Sequence, residues 1–322
     1  MGDMRRFLVL VTALLLVPAA SGGTSAGRPV AIVVSETANE VYAVSMGPHG
    51  GHVLKTVHLA DPLMVAAPLH GPAVVVSPRG TVTLLGWHSL HVEKVFHGFR
   101  DPQIAAIAPG ERYAYVADGG SGSISVIDLT TRRIVDRVHV GLQAHHMSFS
   151  PDGRQLWIAL GETATTVVRL DTSDVSKPRV VGRFRPRDGA HDVKFAPDGK
   201  TVWITSPSHP DVSGYSVGGK LLWTAGAGRP PGHVAFSGAD ALVTTGYGSS
   251  LAAFEWSSPS RAPRTAQLPY GSFNLATYGG FVVTTSLFTG QVRELRVRDL
   301  RRLWTVKVAS AARYVAISLW PR

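Results

Sequence analysis

Two stretches of this chain match almost residue for residue: SFSPDGRQLWIAL at 148–160 and KFAPDGKTVWITS at 194–206. Looser copies are AIAPGERYAYVAD at 106–118, AFSGADALVTTG at 235–246 and LATYGGFVVTTS at 275–286. Internal repetition at a fixed period constrains a fold more than any other sequence feature, because each unit must bury its apolar face against its neighbours. Each copy reads as strand, tight turn, strand. In the turn Pro presets φ, Asp bonds its own backbone and Gly accepts positive φ. Apolar residues alternate with a period of two on both sides.

Each unit continues into two more strands, most clearly SISVIDL at 123–129 and RIVDRVHV at 133–140. Four strands per repeat describe a propeller blade. The first strands fall near Met64, Ala105, Met147, Val193, Val234, Asn274 and Val315, so the steps are 41, 42, 46, 41, 40 and 41. The N-terminal stretch starts instead with a second strand (29–35), then a third (40–45) and a fourth (52–59). Its missing inner strand is supplied by ARYVAISLW at 312–320. The expected fold is an all-β, seven-bladed propeller over residues 28–322. It has four antiparallel strands per blade, and blade 1 is closed by the C-terminal strand. The Pro/Ser-rich 257–264 stretch fits an outer loop of blade 6 rather than a linker.

The segment YVADGGSGSISVIDLTTRRIVDRVHVG at 115–141, with the two Pro-Asp-Gly hairpins, resembles the YVTN-type β-propeller repeat of secreted and surface-layer proteins. The resemblance is strong over 103–226 and in register elsewhere. Blades 2, 6 and 7 lack the Pro-Asp-Gly turn, and Asp118 stands where the repeat usually has Asn.

Before the repeats, Arg5 and Arg6 precede an apolar run at 7–17 broken only by Thr12, and small residues follow at 18–22. This pattern predicts a secretory signal over residues 1–22, cleaved between Ala19 and Gly27. No Cys follows it, which excludes a lipoprotein anchor. No later segment is long and apolar enough to span a bilayer. The chain is expected to be secreted or otherwise extracytoplasmic, and monomeric. Having no Cys, it has no disulfide, thiolate metal site or Cys nucleophile. The formal charge of +10 becomes +9 once Asp3, Arg5 and Arg6 are removed. That charge admits an anionic polymer, lipid headgroups or nucleic acid as partner. Arg293, Arg296, Arg298, Arg301, Arg302 and Lys307 fall on the outer strands of blade 7, where a solvated edge is the plain alternative.

In a propeller the loops leading into each inner strand share one face with the loops joining the second and third strands. Residues there converge on the axial opening. Here they include Arg100, Asp101, Gln103, His145, His146, Asp188, His191, Arg229, His233, Asn274 and Arg313, with Asp61, Arg187, Tyr270 and Tyr314. His146, His191 and His233, from three consecutive blades, form a candidate divalent-metal set. Alternatively, these imidazoles simply hydrogen-bond the neighbouring blade. The histidines also sit in a mixed register, His145 with His191 and His146 with His233, which argues against a symmetric cage. No Gly-x-Ser-x-Gly elbow or phosphate-cradling motif occurs. Trp157, Trp203 and Tyr115 each lie seven residues after Ser150, Ala196 and Ala108, a constant offset that predicts blade-to-blade packing.

The sequence therefore leads to an exported, non-catalytic binding or scaffold module with its ligand face at the axial opening. Its partner is an unidentified cell-surface protein, polymer or small ligand, and it needs no cofactor unless a divalent metal binds. One alternative is an acid/base or metal-assisted enzyme of lyase or lactonase type at the same opening. Another is a binder of anionic polymer or nucleic acid.

Overall fold

The computed structural model describes residues 27–322. The signal segment at 1–22 lies outside the described residues. Among the described residues, alternating apolar residues and frequent turn formers produce twenty-eight strands and no helix. The strands form seven four-stranded antiparallel sheets arranged as the blades of a propeller. The inner strands are Ala312–Trp320 (blade 1), Met64–Ala66, Pro102–Ile107, Ala144–Phe149, Val193–Phe195, Val234–Ser237 and Ser272–Tyr278 (blade 7). The Pro/Ser-rich stretch lies between the third strand of blade 6, Ser250–Glu255, and its fourth, Arg264–Gln267.

The Pro-Asp-Gly turns act through the chemistry expected of them. Asp152 Oδ1 accepts from the Arg154 amide at 3.1 Å, and Asp198 Oδ1 accepts from the Lys200 and Thr201 amides at 2.9 and 3.0 Å. Gly153 and Gly199 take φ of 71° and 65°, a left-handed conformation that side chains disfavour. Outer strands are half in solvent: Arg133–His139 alternates exposed and half-buried residues along its whole length. In six blades the pairing of third and fourth strands carries a register shift, as between Val126 and Ile127. Such bulges increase twist and turn the outer edge away from pairing with another chain.

The apolar core is divided between neighbouring blades. One cluster joins blades 1 and 2, another blades 1 and 7, and others join blades 4 and 5, 5 and 6, and 6 and 7. A larger cluster spans blades 2 to 4. The aromatic residues at the constant offset sit in these seams, fully buried. Trp157 packs edge-on against Phe195 of the next blade, and Trp203 against Phe236. Tyr115 Oη donates to the Val175 carbonyl of blade 4 at 2.7 Å.

Blade 1 closes the ring. Its inner strand Ala312–Trp320 pairs antiparallel with Arg28–Ser35, from Arg28 opposite Trp320 to Ser35 opposite Ala312. Val30, Ile32, Ala316 and Trp320 pack toward blade 2, whereas Ala31, Val33, Val315 and Ile317 pack toward blade 7. Beside this seam Glu294 of blade 7 is fully buried and accepts the Gly47 amide at 3.0 Å. Burial pushes its carboxyl up to about 7, against the opposing pull of the Gly47 amide and Trp304.

Two predictions follow from this seam. Deleting residues 312–322 strips Arg28–Ser35 of its partner and opens both flanking clusters, so cooperative thermal unfolding by circular dichroism should disappear. A sharp melt at the wild-type temperature would show that the ring does not depend on this strand. Glu294 binds its proton more tightly in the folded state than in the unfolded chain. Its contribution is therefore intact below pH ~4.5 and lost as pH rises toward 7, by up to about 3 kcal/mol. The melting temperature of Glu294→Gln minus that of wild type should accordingly increase from pH 5 to pH 8, and a constant difference would refute the linkage.

Candidate axial site

The repeat places one equivalent inner-strand residue of each blade on the axial channel: Met64, Ile104, His146, Asp192, His233, Asn274 and Tyr314. The ring is lopsided, with apolar residues from blades 2 and 3 and polar residues from the other five. Just before these positions a second tier includes Gln103, His145, His191 and Arg313.

Local backbone chemistry fixes the polar side of the channel. Thr205 Oγ1, on the second strand of blade 5, accepts the Asp192 amide at 3.1 Å and donates to the Gly232 carbonyl of blade 6 at 2.6 Å. Thr244 repeats this one blade later, accepting the His233 amide at 3.1 Å and donating to the Phe273 carbonyl. Thr285 donates to the Arg313 carbonyl at 2.8 Å. These threonines tie each inner strand to the next, just where His233, Asn274 and Tyr314 enter the channel. In blade 4 a register shift between Ala144 and Met147 breaks the period of two, so adjacent His145 and His146 are both buried.

Three imidazoles meet at the axis. Ring centroids are 4.5 Å apart for His146 and His191, 4.6 Å for His146 and His233, and 5.0 Å for His191 and His233. One nitrogen from each lies within 4.8 Å of the others. His191 stands a tier above the other two and reaches down, so the mixed register does not keep the rings apart.

Two carboxylates orient the rings. Glu162 lies 3.2 Å from His145 Nε2 and 3.0 Å from His191 Nδ1, whose ring also contacts the Glu162 carbonyl at 3.1 Å. Asp192 lies 3.6 Å from His233 Nδ1 and accepts the Val234 amide at 2.9 Å. His191 is thus held through Nδ1 by a hydrogen bond to the preceding blade, and His233 Nδ1 faces the Asp192 carboxylate of its preceding blade at ion-pair distance. Their Nε2 atoms are left for other work. His146 is different: it is 4% exposed and forms no hydrogen bond to protein among the described residues. Burial, then the neighbouring histidines and Arg313, push its imidazole well below the usual histidine range, so it is neutral. Burial also opposes charge on His191, but Glu162 outweighs it and the net shift is upward. Hydrogen bonds from His145 and His191 hold the Glu162 carboxyl far below the usual carboxylate range.

Above the histidines opens a cavity of about 490 Å³ bordered by Arg229, Asn274, Arg313 and Tyr314. Asp101, Gln103 and His145 line an adjoining recess with Glu162. Two expected rim residues lie apart. Arg100 is exposed, with its backbone amide held by Asp118 at 3.1 Å. Asp188 pairs with Arg187 at 2.5 Å, beside the exposed His209. On blade 7, Arg296 is paired with Asp299, and Arg293 donates to the Gln267 carbonyl at 3.1 Å.

The sequence reading passed over Glu162 and Asp192. Asp192 occupies the register of His146 and His233, so the repeat period points to it. Glu162 sits in a loop whose only signal is that it shares the face of the opening.

No model of a known protein family matches the sequence, and no curated protein matches it. Solved structures do. A functionally unknown protein from Desulfotomaculum acetoxidans is 16% identical with a TM-score of 0.77, covering 91% of this chain and 99% of its own. Hydrazine synthase from Kuenenia stuttgartiensis is 17% identical with a TM-score of 0.66, covering 79% and 89%. At such identities the likeness is one of fold.

The threonine bridges predict a stability effect. Thr205→Val keeps the side chain's shape but leaves the Gly232 carbonyl and Asp192 amide without this partner. It should lower the unfolding free energy by about 1–3 kcal/mol, read from denaturant titration. An unchanged midpoint and slope would mean the bridge contributes nothing.

Proposed function

We propose that this chain is an exported binding propeller of the YVTN-repeat type that holds a ligand at its axial opening around one divalent transition metal. The Pro-Asp-Gly hairpins and the 115–141 segment support the repeat type, and the N-terminal apolar run supports export. The observation that carries the metal is His146, a buried neutral imidazole with no hydrogen-bond partner, facing two further imidazoles. Neutral imidazole nitrogens suit Zn²⁺ or Cu²⁺. Carboxylates or carbonyls on the opposite ring nitrogen, as at His191 and His233, are the usual outer-shell support of metal-binding histidines. Zinc at about 2.0–2.1 Å from each nitrogen wants them roughly 3.3 Å apart, so modest ring rotations from the observed spread complete the set. The overlying cavity gives a ligand access to the remaining coordination position.

That open position also favours a second reading. Three histidines with one vacancy are the pattern of catalytic rather than structural zinc, and Glu162 and Asp192 stand close enough to take part in acid/base chemistry.

Purified chain exposed to Zn²⁺ or Cu²⁺ and then desalted should retain one ion per chain by elemental analysis. The triple variant His146→Ala, His191→Ala, His233→Ala should retain none while keeping its β-sheet circular dichroism. Substoichiometric metal in the wild type, or equal retention by the folded variant, overturns the site. Hydrolysis of lactone or ester probes by the loaded wild type, absent from the variant, would select the enzymatic reading.

A further inference from the structure

We propose that the cavity above the histidines takes a carboxylate carried on an aromatic body. The inference deepens the reading of this opening as a ligand site, and it stands or falls separately from the metal.

The cavity has chemically distinct walls. Its floor is His146, His191, His233 and Tyr314, and one side is apolar, made by Pro207, Pro230, Pro231, Tyr247, Phe273 and Leu287. Two arginines border it, Arg229 and Arg313. Arg313 is already paired with Glu36 at 2.7 Å. The Arg229 side chain is exposed and has no hydrogen-bond or ion-pair partner among the described residues. At the border of the ligand space it offers an unspent, planar, two-pronged cation, the geometry that recognises a carboxylate. Glu162, also in the lining, is held by His145 and His191 and forms no ion pair with Arg229 among the described residues.

The apolar wall continues outward as an aromatic cluster. Tyr247 meets Phe273 edge-on at 4.9 Å, and Tyr270 stacks on Phe288 at 5.1 Å with 21° between the planes. Tyr247, Tyr270 and Phe288 are 68%, 52% and 49% exposed, so these rings keep free faces at the mouth. Large aromatic side chains grouped in the open, next to a lone cation, mark a binding surface more than a packing remnant. A flat ring can stack on Tyr247 while a short arm carries its carboxylate to Arg229. The volume of about 490 Å³ lies within the range of small-molecule sites.

The probe is 3-phenylpropanoate, titrated calorimetrically into the mature chain, both zinc-loaded and stripped by chelator. Acetate and 3-phenylpropan-1-ol serve as controls for the two halves of the ligand. The expected result is that phenylpropanoate binds at least ten-fold more tightly than either control. Arg229→Gln should weaken it by about ten-fold or more, and Tyr247→Ala by about three- to ten-fold. Both residues are exposed, so unchanged melting temperatures confirm that the variants fold. Binding that survives in the stripped protein and still depends on Arg229 upholds the inference even if no metal is retained. Zinc retained one per chain with no phenylpropanoate binding, or with binding indifferent to Arg229→Gln, overturns it and leaves the metal reading standing.

Discussion

Seven small sheets can share one axis only if the last is joined to the first, and here that joint is backbone pairing between Ala312–Trp320 and Arg28–Ser35. No blade is stable alone, because its apolar residues lie on both faces and need a neighbour on each side. The closing strand satisfies both demands at once, with alternate residues packed toward blades 2 and 7. In a chain without cysteine this pairing does what a cross-link does elsewhere. It ties distant parts of the sequence together and pairs the edge of Arg28–Ser35 that an open array would leave exposed.

Closure also creates the site. Inner strands packed round an axis bring their leading residues together from all blades, whatever those residues are. Apolar side chains on blades 2 and 3 fit that position easily. Polar ones on the other blades do not, since a buried polar group without a partner costs free energy. The protein meets part of this cost with two carboxylates beside the histidines, and the Thr205, Thr244 and Thr285 bridges satisfy the backbone groups around them. His146 stays neutral and unbonded in the middle. A chain adapted only for stability would be expected to place an apolar residue there, as it does at Met64 and Ile104.

Much of the architecture was legible because it is written as repetition. The 40- to 46-residue steps counted the blades, and the orphan strand at 312–320 revealed the closure. The constant offset of Tyr115, Trp157 and Trp203 marked the seams between blades. The site was legible in composition more than in geometry. The histidines could be named and expected at the opening, but their mixed register argued against a symmetric cage. What brings them together is a bulge in blade 4 and the two-tier entry of the inner strands, which depend on pairing detail below the resolution of a hydropathy pattern. Glu162 was hidden for a related reason: a loop residue carries no periodic signal, and only the folded ring shows which histidines it faces. Arg100 and Asp188 show the converse: their places before inner strands were legible, yet neither lines the two recesses.

The sevenfold scaffold imposes no chemical symmetry, and the site uses that freedom. Every blade contributes an axial residue and the one before it, and in blades 4, 5 and 6 two axial histidines and one from the tier above bring their rings within about 5 Å of one another. Coordination or binding then depends only on which residue types occupy consecutive blades. Blades 4, 5 and 6 supply the imidazoles, with carboxylates from blades 4 and 5 behind them, while blades 6 and 7 supply the aromatic wall and Arg229. Hydrogen-bonding groups, cation and flat apolar surface thus come from adjoining sectors of one opening. Their relative positions are set by packing between blades rather than by long flexible loops, so a ligand entering from this face meets groups that are already in place.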